Sequence, residues 1–267
     1  YNCKKLYEMS FENPCHLNSI EKEVFYGCYS LKEISIPSSV SLIKSNAFCN
    51  CSSLTKVSIP SSVTSIKPGA FYGCFSLKEI IIPSSVKKIK NTTFSECTTL
   101  EQIEIPSSVI SIGINAFSKC HSLVKIFIPS SVALIKNSAF NECSSLKEVI
   151  FDIPCSITCL AKSIFYYCKS LTQITIPSSI ESIDPYAFSG CLSLTEIDIP
   201  SSITYIGNFA FNPCPSLEEV SFPSSVISFG MSVFDGMKSL KISGSIDYIP
   251  DSLFKGSLSI EEIIINS

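Results

Sequence analysis

A phenylalanine returns along the whole chain at nearly constant spacing, at Phe25, Phe48, Phe71, Phe94, Phe117, Phe140, Phe165, Phe188, Phe211, Phe234 and Phe254. Most successive pairs are 23 residues apart; the step from Phe140 to Phe165 takes 25 and that from Phe234 to Phe254 takes 20. Between them recurs the stretch Ile59-Pro60-Ser61-Ser62-Val63, almost unchanged from rung to rung. A fixed period of roughly 20 to 29 residues, rich in Leu and Ile, predicts a solenoid in which one short unit is stacked on itself. A unit that short cannot bury its own apolar side, so each rung depends on its neighbours for cover. We therefore expect a single domain over residues 1–267, with about eleven rungs and no internal linker.

The rung from Leu54 to Leu77 shows how the pattern should fold. Leu54, Val57 and Ile59 have the alternation of a short strand, with Val57 and Ile59 on one face. Pro60 has no N–H to give a ladder and ends that strand. Ser61 and Ser62 follow in a bend, where hydroxyls bond nearby backbone. Val63 and Ile66 form the next inward pair, and Ala70, Phe71 and Cys74 complete it. Each large inward side chain contributes roughly 1.5–3 kcal/mol when a neighbour covers it. The Ala70–Cys74 stretch is too short for a full helix, so a helical or 3₁₀ turn is expected on the outer side. At about 4.8 Å per rung the body should be on the order of 50 Å long.

The pattern L-x-x-I-x-I-P-S-S-V-x-x-I-x-x-x-A-F-x-x-C-x-x-L resembles the BspA-like (Treponema-type) leucine-rich repeats over essentially the whole chain. That resemblance implies a leucine-rich repeat solenoid, a right-handed β/α superhelix. A parallel β-sheet would line its concave side, with short helical or 3₁₀ turns and extended segments outside. It also implies a non-enzymatic adhesion or binding protein, displayed on the surface of, or secreted by, a bacterium or protist. The partner would be a host, matrix or other protein, or a glycan.

Three rungs depart from the pattern. Two extra residues lie between Leu146 and Pro154, where we expect a bulge around Ile150 and Phe151; Leu6 to Pro14 repeats that spacing. Three residues are missing between Leu240 and Ser243, with Ser243 in place of the proline, and Met237 and Ser257 stand in the cysteine column. Irregularity of this kind suits a terminal region.

Of the 14 cysteines, Cys28, Cys51, Cys74, Cys97, Cys120, Cys143, Cys168, Cys191 and Cys214 lie three residues after the repeat phenylalanine, and Cys3 fits the same column. A buried thiol is an ordinary small core residue, and we expect these to be free. Cys15, Cys49, Cys155 and Cys159 lie outside the column and are expected exposed or half-buried, with Cys155 and Cys159 the one extra pair that shares a rung. His16 and His121 sit on distant rungs without zinc spacing. No catalytic, cofactor-binding or metal-binding residue is assigned, and no G-x-S-x-G, P-loop or H-E-x-x-H occurs. Asn50-Cys51-Ser52 and Asn91-Thr92-Thr93 match the glycosylation sequon, the second on an outward segment.

Mean hydropathy is +0.34, yet no apolar run approaches the roughly 18 residues of a membrane span. The sequence opens at Tyr1 without a basic or apolar leader, and we expect it to be a piece of a longer protein. A net charge of −3 argues against phosphate-bound nucleic acid. The charge is uneven: residues 1–134 hold 13 Lys and 9 Asp/Glu, residues 135–267 hold 7 and 14. Such a rod could stack head to tail or orient a partner, and the strand at Glu261–Ile265 leaves an edge open to pairing with another chain.

On the strand face, the outward residue between the inward strand positions reads Ser35, Ser58, Ile81, Glu104, Phe127, Asp152, Thr175, Asp198, Ser221. Ile81 and Phe127 are apolar there, separated by Glu104, and an exposed aromatic beside a charge is the kind of anchor interfaces use. Lys78, Glu79, Glu101, Gln102, Val124 and Lys125 flank them. Glu196, Asp198, Glu218 and Glu219 form an acidic patch farther along. Tyr26, Tyr72 and Tyr166, expected exposed on the outer turns, are a fallback surface. The rival to a surface-displayed binder is an intracellular (cytoplasmic) scaffold or regulatory repeat protein, because unpaired cysteines suit a reducing compartment.

Overall fold

The structure, a computed structural model, describes residues 3–12, 14–237, 239–243, 253–254 and 261–266. It is a parallel β-solenoid of stacked coils. Two ladders of short strands run along it. The first holds Glu33–Ser35, Lys56–Ser58, Glu79–Ile81, Gln102–Glu104, Lys125–Ile128, Glu148–Phe151, Glu219–Ser221, Ser239–Ser243 and Glu262–Asn266. Single bridges link Thr175 to Asp198 and Asp198 to Ser221. The second ladder is made of two-residue strands from Ser19–Ile20 to Ser228–Phe229. Every pairing is parallel, and coil stands on coil at the sequence period, as in Val57 opposite Ile34 and Ile66 opposite Ile43.

The inward positions are those that the repeat predicts. Leu54, Val57, Val63, Ile66, Ala70, Phe71, Cys74 and Leu77 are buried, and Ile59 is half-buried against them. From Phe25 to Phe234 the phenylalanine rings form one column, neighbours 5.1–5.9 Å apart between centroids and within 24° of parallel. The cysteine column has a chemical reason as well as a steric one. From Cys51 to Cys214 each Sγ–H of the column donates to the carbonyl of the phenylalanine in the preceding coil, for example Cys51 to Phe25 at 3.1 Å and Cys143 to Phe117 at 3.1 Å. The same carbonyl accepts a backbone N–H from its own coil, as Phe25 does from Cys28 at 3.1 Å, so both its lone pairs are used inside a dry core.

In five coils the second serine of the recurring motif is satisfied in a like way, whereas at Ser202 and Ser225 the buried hydroxyl has no partner. Ser62 donates to the Val40 carbonyl at 2.7 Å, Ser85 to Val63 at 2.6 Å and Ser108 to Val86 at 2.8 Å, all in the preceding coil and not within the bend. The bend itself closes through Val63 N–H to Pro60 O at 3.0 Å.

The outer side differs from expectation: no helix or 3₁₀ segment stands among the described residues. Two residues per coil, two before and two after the phenylalanine, lie in the left-handed region, as at Asn46 and Asn50 or Thr92 and Glu96, except in the Phe211 coil, where Pro213 holds the second position. A left-handed residue every fourth position interrupts any run of helical dihedrals. The amides then alternate. Ala47, Cys49 and Cys51 donate within the coil to Lys44, Asn46 and Phe48, while Asn46, Phe48 and Asn50 donate to Pro68, Ala70 and Tyr72 of the next coil at 3.1, 2.8 and 2.7 Å. Each left-handed non-glycine costs roughly 1–2 kcal/mol, and the inter-coil bonds offset it.

The expected bulge is also absent. Lys125–Ile128 pairs with Glu148–Phe151 residue for residue, Phe127 opposite Ile150 and Ile128 opposite Phe151. The two extra residues fall after the strand, in 152–156, where the Asp152 carboxylate accepts the N–H groups of Ser130 at 3.2 Å and Ile153 at 3.1 Å. A bulge would have broken the inward alternation of a covered strand, whereas an exposed turn lengthens at little cost. At the other end Ser243 stands opposite Ser221, two positions ahead of the proline column, so it does not replace the proline. Met237 is buried in the cysteine column; Ser257 lies outside the described residues.

Cys3 is exposed, and Cys15, Cys155 and Cys159 are half-buried, while Cys49 is buried, against expectation, beneath the outer turns. All 14 cysteines are free in this structure.

Candidate functional site

Because strands alternate, Glu79 and Ile81 point out while Ile80 points in, and the same holds at Gln102, Ile103 and Glu104. Ile81 pairs with Glu104, and Phe127 stands on the next strand along. The repeat had placed these three side chains together, and the structure does so. Ile81 is 81% exposed and Phe127 46% exposed, the first beside a shallow groove of about 320 Å³ lined by Glu79, Ile81, Gln102, Glu104 and Pro106.

The register corrects one member of this column. Asp152 lies in the lengthened turn, and the position it was assigned belongs to Ile150, directly opposite Phe127. The apolar column thus reads Ile81, Phe127 and Ile150, interrupted once by Glu104, and Ile153 stands 81% exposed in the adjoining turn. The signal for Ile150 was in the sequence, since Val149 and Phe151 continue the inward alternation on either side of it. Hydrogen bonds from Ser130 and Ile153 hold the Asp152 carboxyl below the usual carboxylate range.

The acidic residues Glu196, Asp198, Glu218 and Glu219 are all exposed on neighbouring coils of the same ladder. Lys241 meets Glu219 at 3.0 Å, so one of the four charges is compensated. The coil of Thr175 separates them from Ile150, and the two groups form separate patches. Tyr26, Tyr72 and Tyr166 are half-buried and not exposed; Tyr166 packs on Tyr167, ring centroids 4.6 Å apart.

Burial pushes the thiols of Cys51, Cys97, Cys143 and Cys214 up to about 12 and that of Cys49 to about 11, which keeps them neutral and unreactive. His121 Nδ1 lies 3.0 Å from the Glu142 carbonyl oxygen. No group of His, Cys, Asp and Glu suited to a metal stands among the described residues. Asn91 is exposed, its Oδ1 accepting the Ile114 N–H at 3.0 Å.

A stack of similar coils with one polar and partly apolar ladder face is the architecture of a repeat scaffold. The chain belongs to the BspA type leucine rich repeat family: the family's repeat region, of six copies, matches residues 1–98, 64–160 and 158–267. Among solved structures it is similar to a leucine-rich repeat protein from Bacteroides ovatus, with 30% identity and a TM-score of 0.67, over 93% of this chain and 64% of that one. A leucine rich cell surface protein from Faecalibacterium prausnitzii is 25% identical, with a TM-score of 0.55, over 94% of this chain and 83% of that one. The pneumococcal vaccine antigen PcpA shares the fold, at 22% identity and a TM-score of 0.58, over 89% of this chain and 80% of that one. The chain therefore spans just under two thirds of the Bacteroides ovatus protein's length. No protein of curated function matches it. No helix among the described residues is long and apolar enough to cross a membrane.

Proposed function

We propose that this chain is a non-enzymatic binding domain, a single repeat domain of about eleven rungs within a longer protein, that holds a partner protein against the strand face. Ile81, Glu104, Phe127 and Ile150 are its anchor, and Glu196, Asp198, Glu218 and Glu219 a second contact. The observation that carries this reading is the exposed apolar column, Ile81 at 81% and Phe127 at 46%, on an otherwise polar face. Leaving such residues in water gains nothing for the fold, whereas a partner that covers them gains roughly 25 cal/mol per Å². Similarity to a cell surface protein of Faecalibacterium prausnitzii supports display at the surface or secretion, and the partner class that this reading carries is a host or matrix protein.

The test is a pull-down from host matrix extracts with the wild type and with Ile81→Ser/Phe127→Ser/Ile150→Ser. A partner retained by the wild type and lost by the variant supports the strand face, and equal capture at unchanged circular dichroism rejects it. A second reading, an intracellular scaffold, is favoured by the 14 free thiols. Antibody labelling of intact against permeabilised cells separates the two, since label confined to permeabilised cells excludes surface display.

A further inference from the structure

The second ladder carries an electrostatic feature that the strand-face reading does not use. Over six successive coils its segments, 40–45, 63–68, 86–91, 109–114, 132–137 and 157–162, hold seven lysines and no carboxylate, in a chain whose net charge is −3. The inward isoleucines at 66, 89, 112 and 135 are each followed by an outward position, occupied by Lys67, Lys90, Gly113 and Lys136. A neighbouring column runs Lys88, Ser111, Leu134, held in register by the ladder. Lys44 is neutralised by Glu21 at 2.6 Å. Lys67, Lys87, Lys88, Lys90, Lys136 and Lys162 enter no ion pair among the described residues.

At Gly113 the lysine column is interrupted. A side chain is impossible there, because a Cβ would lie 2.5 Å from the Asn91 nitrogen. Gly113 is itself buried beneath Asn91, and beside it lies a recess of about 190 Å³ walled by Lys88, Lys90, Asn91, Leu134 and Lys136. Ile110 and Leu134, each 45% exposed, stand among these cations. Like charges collected on one face repel one another and weaken the fold slightly, and a polyanion lying along them removes that repulsion.

We propose that this lysine face binds an acidic segment of a partner protein, an extended stretch in which Asp or Glu alternates with aliphatic residues, with one carboxylate seated in the recess among Lys88, Lys90 and Lys136. The exposed Ile110 and Leu134 favour a polypeptide over a sulfated glycan, which has no aliphatic side chains to lay against them. The spacing fits as well. Carboxylates two residues apart on an extended chain are about 6.6–7 Å apart, and adjacent coils about 4.8 Å, a mismatch that the long lysine stems absorb. Each exposed pair is weak and screened by salt, so the face acts only through several cations at once.

Fluorescence anisotropy with a labelled peptide of alternating Glu and Leu tests this. The wild type should bind it with an affinity that falls as salt rises. Lys88→Glu/Lys90→Glu/Lys136→Glu should weaken it by about tenfold or more. Ile110→Ser/Leu134→Ser should weaken it several-fold, and Ile81→Ser/Phe127→Ser should leave it unchanged, which separates this face from the strand face. Circular dichroism melts establish that each variant is folded. Absence of binding by the wild type, or binding indifferent to the charge reversals, overturns the proposal. So does heparin binding that tracks the same lysines while an alternating Glu–Ser peptide binds as well as the Glu–Leu one, because the apolar contacts would then contribute nothing.

Discussion

The strand face and the lysine face are two sides of the same six coils, resting on shared inward residues, and they differ only in what points outward. Residues 31–36, 54–59, 77–82, 100–105, 123–128 and 146–151 on the strand face carry five lysines and five glutamates, and at Lys125 and Glu148 the opposite charges meet across the ladder at 2.9 Å. The lysine face has no carboxylate. Inward positions are covered on both sides by neighbouring coils and tolerate little change in volume. Outward positions make few contacts, so their composition is free to record what binds there. The strand face offers apolar area with balanced charge, whereas the lysine face offers charge with scattered apolar area.

Phe117→Ala attacks the shared support and should have the largest effect. Its ring is fully buried between Phe94 at 5.5 Å and Phe140 at 5.4 Å. Urea unfolding should show a loss of roughly 3–5 kcal/mol, with both faces losing their ligands together. A loss under about 1 kcal/mol would mean that the ring column is not the common support.

Next comes the thiol column. Cys143→Ala removes the second donor to the Phe117 carbonyl and should destabilise by roughly 1–2 kcal/mol, whereas Cys143→Ser, which keeps a donor, should recover part of this. The thiol is raised from 9.0 to about 12 by burial. As the folded state holds this proton more tightly than the unfolded chain, the stability it confers is complete below pH 9 and is lost as pH rises toward 12. Melting temperature should therefore decline through that window. Thiol titration of the native protein should find Cys3, Cys15, Cys155 and Cys159 reactive and the ten buried cysteines silent, with all 14 reacting after denaturation. Rapid reaction of the buried column in the native state would contradict its packing.

Ile81→Ser should change stability by less than about 0.5 kcal/mol, since its side chain is exposed, and Phe127→Ser, whose ring is about half covered, by about 1 kcal/mol, while the pair should cost about 2 kcal/mol or more in binding to a strand-face partner. Equal losses in stability and binding would reduce the strand face to a part of the core. Glu148→Gln should have the smallest effect: an exposed pair at 2.9 Å is worth about 0.3 kcal/mol, and its loss should vanish in high salt.

Inward residues and coil register are legible in the sequence because a 23-residue return superimposes like on like, which by itself places Ile81, Glu104 and Phe127 in one column. The same period failed at Asp152, because two inserted residues can lie in a strand or in the turn after it, and only the ladder bonds of Ile150 to the Phe127 strand decide which. The burial of Cys49 was hidden for a similar reason, since it depends on how the outer turns close over it.

What the sequence determined by itself is the periodic part: the solenoid, its inward columns, and the proline that ends each strand, all consequences of side-chain volume and backbone chemistry repeated in order. What only the tertiary structure decided is the outer side and the faces it frames. Left-handed turns there occupy positions held by Glu, Asn, Gly, Thr, Lys, Tyr and Phe alike. No residue type announces them, because the bonds that stabilise them, such as Phe48 N–H to the Ala70 carbonyl at 2.8 Å, come from the next coil. A conformation bought by a neighbour leaves no local signature, and so it emerges only when the coils are stacked.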